Sequence, residues 1–156
     1  MTKESAGLLL FRERDGAVEV LLVHPGGPFW ARRDAGAWSI AKGEIGAAEQ
    51  PLQVARREFG EELGGEAPGG EWLALGTVRQ PGGKIVHAWA ARGEFDPAQV
   101  SSMSFELEWP PRSGRRQSFP EVDRAAWFAL DEARLKILPA QQAFIDRLES
   151  RLASTA

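Results

Sequence analysis

The stretch from Gly43 to Gly65, GEIGAAEQPLQVARREFGEELGG, decides the fold of this chain. Pro51 suits the first position of a helix, because its missing N–H group would have no partner there. Gly64 and Gly65 favour the left-handed turn that ends helices. The stretch therefore predicts a helix from about Pro51 to about Leu63.

This predicted helix has two faces of different chemistry. The apolar stripe, which should be buried, consists of Leu52, Ala55, Phe59 and Leu63. Glu58, Glu61 and Glu62 fall together about 100° round the helix from that stripe. We therefore expect the stripe to pack on the core and the three carboxylates to face a cleft.

Three like charges on one helix face need compensation. Glutamates three and four residues apart destabilise a helix by a few tenths of a kcal/mol per pair, so a cation is expected beside them. Hard carboxylate oxygens suit Mg²⁺ or Mn²⁺, and Mg²⁺ commonly adds substrate phosphates to its shell. The substrate is therefore expected to carry phosphate. The alternative is a solvated face in which Arg57 and Glu61 form an ordinary i, i+4 pair.

The full pattern is more specific than the three acids. Its fixed positions are Gly43, Glu49, Arg57, Glu58, Glu61, Glu62 and Gly64. Average residue usage makes a chance match on the order of 10⁻⁸ per starting position. The pattern resembles the signature of the Nudix hydrolases, G-x5-E-x7-R-E-U-x-E-E-x-G-U, with U a bulky apolar residue. Phe59 fills the first U, whereas Gly65 departs from the second, which weakens packing after the helix but not metal binding.

The resemblance extends over nearly the whole chain, from SAGLLLF to AAWFAL, and it implies fold and chemistry together. The fold would be α/β, a Nudix-type α/β/α sandwich with a mixed β-sheet. The activity would be a pyrophosphohydrolase that uses Mg²⁺ or Mn²⁺ to cleave a nucleoside diphosphate linked to another moiety. The alternative is a non-catalytic Nudix-like nucleotide-binding domain, which arises when the acids of the signature are lost; here they are intact.

The resemblance also assigns roles to residues. The metal ligands would be Glu58, Glu61, Glu62 and, through the backbone carbonyl beside the first glycine, Lys42. Arg57 would hold the acids by salt bridges, and Glu49 would orient the loop or join the outer metal shell. The general base would be Glu58 or Glu62 within the signature, or Glu106 or Glu121 outside it. Glu121, in FPEVDRAAWF, best matches the acid that the family supplies near its late strand.

Two loops carry candidate substrate contacts. The loop at residues 24–36 holds Phe29, Trp30, Arg32 and Arg33, which could sandwich a nucleobase and hold phosphate. The loop PPRSGRRQSFPE adds Arg112, Arg115 and Arg116, which could meet a polyphosphate. The alternatives are aromatics folded onto the core and solvated arginines. The Lys42 side chain could likewise contact phosphate or be solvated.

The sequence says less about the substrate than about the class of enzyme. AKGE at residues 41–44 resembles the P-K-G segment of dinucleoside polyphosphate hydrolases, and two arginine-bearing loops suit a long phosphate chain. Diadenosine polyphosphates therefore rank ahead of ADP-ribose. Nucleoside triphosphates, as in the MutT-type enzymes, are the generic alternative.

Length and composition limit the number of domains, the possible partners and the cellular location. A length of 156 residues predicts one domain, residues 1–156. A net charge of -3 and an ordinary charged fraction argue against nucleic-acid binding and disorder. The chain has no cysteine, no apolar run able to span a membrane and too short an N-terminal run for a signal peptide, which predicts a cytoplasmic protein. The oligomeric state stays open.

Strand patterns fill in the rest of the sandwich. Predicted strands cover residues 5–11, 18–23, 37–40, 71–80, 84–92, 105–109 and 125–130. Phe144, Ile145 and Leu148 mark a C-terminal amphipathic helix. His24 and His87 are interpreted as structural, His87 because it alternates with large apolar residues on one face of its strand.

Overall fold

The computed structural model describes residues 3–154, so the first two and last two residues of the expected domain lie outside the described part. The strands are β1 (Glu4–Arg14), β2 (Ala17–Pro25), β3 (Ala41–Glu44), β4 (Trp72–Arg79), β5 (Ile85–Arg92), β6 (Ser104–Glu108), β7 (Arg116–Pro120) and β8 (Val122–Ala129). The helices are α1 (Pro51–Leu63), α2 (Leu130–Lys136) and α3 (Gln142–Ser154), with short 3-10 turns at Pro97–Gln99 and Pro139–Gln141.

The main sheet is mixed, as predicted. Its order is β4-β5-β1-β2-β8, with β3 also paired to β1. Strand β1 runs parallel to β5 and antiparallel to both β2 and β3. The hairpin of β6 and β7 forms a separate two-stranded sheet.

Strand β1 is apolar along most of its length because both of its faces are covered. Leu8 and Leu10 pack in the cluster that contains Phe59 of α1. Leu9 packs in a second cluster, which contains Phe144 of α3. Alternate side chains of a strand point to opposite faces, so α1 and α3 lie on opposite sides of the sheet. The α/β/α sandwich is confirmed.

Helix α1 has the predicted limits, from Pro51 to Leu63. Gly64 ends it in a left-handed conformation with φ 83°, and its N–H donates to the Gly60 carbonyl oxygen at 2.7 Å. The predicted stripe is wrong at one position, because Leu52 is exposed and Val54 is buried instead. Val54 packs beside Ala6 of β1, so the buried face is turned slightly from the predicted one.

The strand predicted at residues 37–40 is wrong. Trp38 and Ser39 make only isolated bridges, to Ile137 and Val23, in the part of the chain that the structure describes. The strand is β3 itself, in which Lys42 pairs with Gly7 of β1. This pairing needs glycine in β1, since a Cβ on Gly7 would lie 2.6 Å from the Cβ of Lys42.

The basic segment after β6 was predicted to be a loop, but half of it forms β7. This strand pairs with β6 in antiparallel register, and Phe105 lies opposite Phe119. It lacks the alternation that marks a strand in sequence because most of its side chains are exposed. At the C-terminus, Phe144, Ile145 and Leu148 are buried on α3 as predicted, and the preceding residues form the separate helix α2.

Both histidines have structural partners, as predicted. The buried His24 ring has Nδ1 2.9 Å from Asp123 Oδ1 and Nε2 2.6 Å from the Arg33 carbonyl oxygen. The half-buried His87 has Nε2 2.6 Å from Glu4 Oε1. No helix within residues 3–154 combines the length and apolarity needed to cross a bilayer.

Candidate active site

A cleft opens where the N-terminal half of β3, the C-terminal half of α1 and the start of β8 meet. The residues that line it include Trp30, Ser39, Lys42, Glu62, Glu121 and Val122. The cleft therefore contains Glu62, an acid of the signature, and Glu121, the acid outside the signature that best matches the one the family supplies near its late strand. These two acids lie 59 residues apart in the sequence, and the fold brings them to one site.

The first glycine of the signature is required by contact with an acid. Gly43 lies on β3 against Glu58, and a Cβ at this position would lie 2.0 Å from the Glu58 carboxyl carbon. The preceding residue is tied to the same helix, because the Lys42 N–H donates to Glu62 Oε1 at 3.2 Å. Strand β3 is therefore held against the carboxylates of α1 at two consecutive residues.

Arg57 links the other acids of the signature. Its guanidinium donates to Glu49, whose second oxygen accepts a hydrogen bond from the Gly46 N–H at 2.6 Å. The same guanidinium lies 3.5 Å from Glu58 Oε1 and 3.7 Å from Glu61 Oε1. These contacts join three acids of the signature to one guanidinium. They also lower the pKa of Glu49, through the Arg57 hydrogen bond and then that from Gly46.

Burial disfavours the ionised forms of two acids of the signature, Glu58 and Glu62. The pKa of Glu62 is raised to about 8. Burial is the largest cause and the charges of Glu58 and Glu121 also raise it, whereas the contacts with Lys42 oppose the shift. The pKa of Glu58 is raised by burial and then by Glu61, with a smaller contribution from Glu121. For both carboxylates, the positive charge nearby is too small to offset the cost of burying the ionised form.

Lys42 supplies only part of that charge, through contacts that oppose the rise in the pKa of Glu62. The pKa of Lys42 is lowered to about 8, first by burial and then by the nearby charge of Lys84. At the start of its side chain, the Lys42 Cβ lies beside the paired Gly7 of β1, 2.6 Å from where a Cβ on that glycine would stand. The backbone of Lys42 also contacts Glu62 directly, through its N–H group.

The donor set fits a hard divalent cation by its chemistry. Within residues 3–154, no three carboxylate or imidazole groups are gathered closely enough to enclose a metal ion. The acids nevertheless offer several oxygen donors, which Mg²⁺ and Mn²⁺ prefer. The raised pKa values of Glu58 and Glu62 are also those that a nearby cation would lower.

The candidate substrate residues of the first loop divide between the cleft and the surface. Trp30 lines the cleft, and the Arg33 guanidinium lies 5.3 Å from the centre of its ring. Phe29 is 61% exposed and meets Trp109 edge to face, with ring centres 5.4 Å apart. Arg32 is exposed. Sequence reasoning did not single out Trp109, because its contact with Phe29 spans 80 residues of sequence.

The candidate residues of the second loop lie on the hairpin of β6 and β7. Arg115 and Arg116 are exposed there, and Arg116 Nε lies 3.6 Å from Glu106 Oε2. Arg112 lies in the turn between the two strands. Of the acids proposed as base outside the signature, Glu106 is thus paired on the exposed hairpin, whereas Glu121 lines the cleft.

Gln141 is a supporting residue that sequence reasoning missed. It is fully buried, and its Oε1 accepts a hydrogen bond from the Ile40 N–H at 3.1 Å. Its Nε2 donates to Gln80 Oε1 at 2.9 Å. Gln141 thereby fixes the segment that enters β3. Nothing in the local pattern PAQQ distinguishes it from an exposed residue.

Comparison with known proteins identifies the family of this chain. The sequence matches the NUDIX domain family model over residues 1–148. The chain therefore belongs to the Nudix family, and it is a Nudix hydrolase. Enzymes of this family generally require divalent metal ions.

Solved structures show the same fold. A binary complex of the Caenorhabditis elegans Ap4A hydrolase has 22% identity and a TM-score of 0.67, covering 98% of this chain and 99% of that one. The NUDIX domain of Shewanella oneidensis NrtR, complexed with ADP ribose, has 20% identity and a TM-score of 0.65, with 97% and 89% covered. The Escherichia coli ORF135 protein has 27% identity and a TM-score of 0.56, with 98% and 94% covered.

Proposed function

We propose that the chain is a Mg²⁺- or Mn²⁺-dependent pyrophosphohydrolase that cleaves a nucleoside diphosphate linked to another moiety, as one Nudix domain over residues 1–156. The observation that carries this proposal is the pair of partly buried acids Glu58 and Glu62, whose pKa values are raised by burial and further by the charge of Glu121. A bound cation would offset this cost of ionisation. A phosphate-bearing substrate suits the same cation.

The residues that would hold the metal are Glu58, Glu61, Glu62 and the backbone carbonyl of Lys42. When bound, a divalent cation supplies Lewis-acid stabilisation of the diphosphate and a more acidic water as nucleophile. Arg57 orients Glu58 and Glu61 through the contacts that it makes with both. Glu49 in turn holds Arg57, and it bonds the Gly46 N–H of the loop that precedes α1.

Glu121 is the residue that we propose as general base. It lines the cleft with Glu62, and its charge contributes to the raised pKa values of Glu58 and Glu62. A base in this position accepts the proton of the attacking water while the acids of α1 hold the metal. Glu106 is disfavoured because it pairs with Arg116 on the exposed hairpin. Glu58 and Glu62 are the alternatives within the signature.

The substrate that we propose is a small-molecule nucleotide, with diadenosine polyphosphates ahead of ADP-ribose and nucleoside triphosphates. Trp30 offers a ring in the cleft, while Phe29 and Trp109 offer a second aromatic surface outside it. The cations proposed to follow the phosphate chain are Lys42, Arg32, Arg33, Arg115 and Arg116. Relatives of the same fold include an Ap4A hydrolase and a domain complexed with ADP ribose, which supports a nucleotide.

The test is a substrate panel with Mg²⁺, read by chromatography of the products. Diadenosine tetraphosphate should yield ATP and AMP, at a higher kcat/KM than ADP-ribose or ATP. Glu62→Gln and Glu61→Gln should each lower metal-dependent turnover by several orders of magnitude, because they remove a charged metal ligand. Glu132→Gln, an exposed change on α2, is the matched control. Full turnover by Glu62→Gln would refute the proposed ligand set.

A further inference from the structure

The segment from Ser101 to Met103 closes the C-terminal end of helix α1. The last carbonyl groups of a helix have no partner within it. The Ser101 N–H donates to the Leu63 carbonyl oxygen at 3.1 Å, and the Met103 N–H donates to that of Glu61 at 3.2 Å. The segment runs so close that a Cβ on Gly64 would lie 2.6 Å from the Ser101 carbonyl oxygen. The last glycine of the signature therefore makes room for this segment.

The same segment holds the acid outside the signature. The Glu121 N–H donates to the Met103 carbonyl oxygen at 2.8 Å. The Ser102 hydroxyl accepts a hydrogen bond from the Val122 N–H at 3.0 Å. Its own proton can be donated to the Met103 carbonyl oxygen at 3.0 Å or to the Val122 carbonyl oxygen at 3.1 Å. Glu121 is thus held by the residues that cap α1, the helix that carries Glu58 and Glu62.

The Ser102 hydroxyl is the part of this arrangement that depends on side-chain identity. The bonds of Ser101, Met103 and Glu121 to their partners join backbone groups, which nearly every residue type offers. Val122 is 4% exposed, so without the hydroxyl its N–H would be left in a buried site without that acceptor. A buried donor without an acceptor is costly, and the local backbone shifts to relieve it.

We propose that Ser102 is a positioning residue, which fixes Glu121 opposite the carboxylates of Glu58 and Glu62 through its two contacts with Val122. Ser102 takes no part in the reaction itself. The effect on turnover rests on the proposed function of Glu121 as general base. The effect on the structure around Glu121 does not rest on it.

The first experiment compares Ser102→Ala, Ser102→Thr and the matched control Ser104→Ala, which removes an exposed hydroxyl at the start of β6. Ser102→Ala should lower kcat roughly tenfold, because a small displacement of a catalytic group is costly. Its KM should stay within about twofold of the wild-type value, since substrate contacts are retained. Ser102→Thr, which keeps the hydroxyl, should restore kcat, and Ser104→Ala should not change it.

The second experiment asks whether Ser102 acts through Glu121. In the Glu121→Gln background, Ser102→Ala should cause no further loss of kcat, because the group that it positions is already removed. An equal fold-loss in both backgrounds would overturn the proposal, and so would a wild-type kcat in Ser102→Ala.

The third experiment does not depend on activity. Amide hydrogen exchange at Glu121 should be faster in Ser102→Ala than in the wild type, and it should return to the wild-type rate in Ser102→Thr. The Glu121 N–H bonds to Met103 and not to Ser102, so its exchange reports how firmly Glu121 is held. Unchanged exchange overturns the proposal. If the wild type hydrolyses no nucleotide, the proposed function fails, and this measurement still decides the role of Ser102.

Discussion

The signature segment, residues 43–64, lines the cleft through Glu62, whereas the hairpin of β6 and β7 ends at Pro120, next to Glu121 of the cleft. The side chains of these two regions are constrained very differently. In the signature segment, Gly43 is fixed by Glu58, Glu62 by the Lys42 backbone, and Gly64 by Ser101. On the hairpin, the Glu106 and Arg116 side chains are 67% and 70% exposed and meet mainly each other. Close contacts leave almost no choice of residue type at the fixed positions of the signature segment. On the exposed hairpin, many residue types could take the place of those present.

This difference separates the reaction from its specificity. Residue types that are fixed by close contact give a pattern that can be recognised from one sequence, and here that pattern carries the chemistry. Exposed strands and loops on a rigid scaffold are free to vary, and they commonly determine the substrate. The hairpin and the loop at residues 24–36 are therefore where we expect the choice between nucleotides to be made.

The largest expected effect within this comparison comes from a single methyl group in the signature segment. Gly43→Ala places a Cβ 2.0 Å from the Glu58 carboxyl carbon, so the acid must move. Turnover should fall roughly a hundredfold, since displacement of a catalytic group by about 1 Å has a cost of this size. Gly69→Ala is the control, because a Cβ there meets nothing within 4 Å. Equal turnover in the two variants would contradict the tight constraint on Gly43.

The second prediction concerns the buried acids in the absence of metal. The pKa of Glu62 is raised to about 8 from an ordinary value of 4.5, so the folded state holds its proton more tightly than the unfolded state does. The free energy of unfolding should therefore fall as the pH rises from about 4.5 to about 8. Glu62→Gln, which cannot ionise, should weaken this decline.

Urea unfolding in the presence of a chelator, at several pH values, measures the effect. Adding Mg²⁺ at pH 8 should stabilise the wild type more than Glu62→Gln, because the ion binds the ionised acid of the folded state. Glu132→Gln, on the exposed surface of α2, should keep the wild-type pH dependence. A pH dependence that is identical in all three proteins would show that Glu62 does not carry this charge.

The sequence was most informative where the contacts are local. It predicted the limits of α1 and the grouping of Glu58 and Glu62, because helix geometry and the flanking Pro51 and Gly64 determine both. The approach of Glu121 to these acids came from the family resemblance, since the contacts that hold it come from Ser102 and Met103, far away in sequence from α1.

The hairpin was least predictable, for a related physical reason. Strand β7 buries little of its surface, so its sequence carries no alternation of apolar and polar residues. The contact between Phe29 and Trp109 joins two segments that local patterns cannot connect. The strand predicted at residues 37–40 was wrong because the pairing of β3 depends on Gly7 in a distant strand.

The last prediction tests whether the exposed aromatic pair contributes to specificity. Trp109 follows β6 at the end of the hairpin away from Glu121, and the five residues of β7 between the two ends span about 16 Å at ~3.3 Å per residue. A ring at that distance suits a base that is separated from the reacting phosphates by a long chain. It does not suit the base of a nucleoside triphosphate bound at Trp30 in the cleft.

Trp109→Ala should therefore raise KM for diadenosine tetraphosphate roughly tenfold, the size expected for loss of one stacked base. Its KM for ATP should be unchanged, and kcat should be unchanged for both substrates, because the acids of the cleft are untouched. Trp109→Phe, which keeps an aromatic face toward Phe29, should retain most of the affinity for the dinucleotide. Steady-state kinetics of the three proteins on the two substrates make the measurement. Equal changes in KM for both substrates would place the selective contact elsewhere, with Trp30 and Arg33 the next residues to replace.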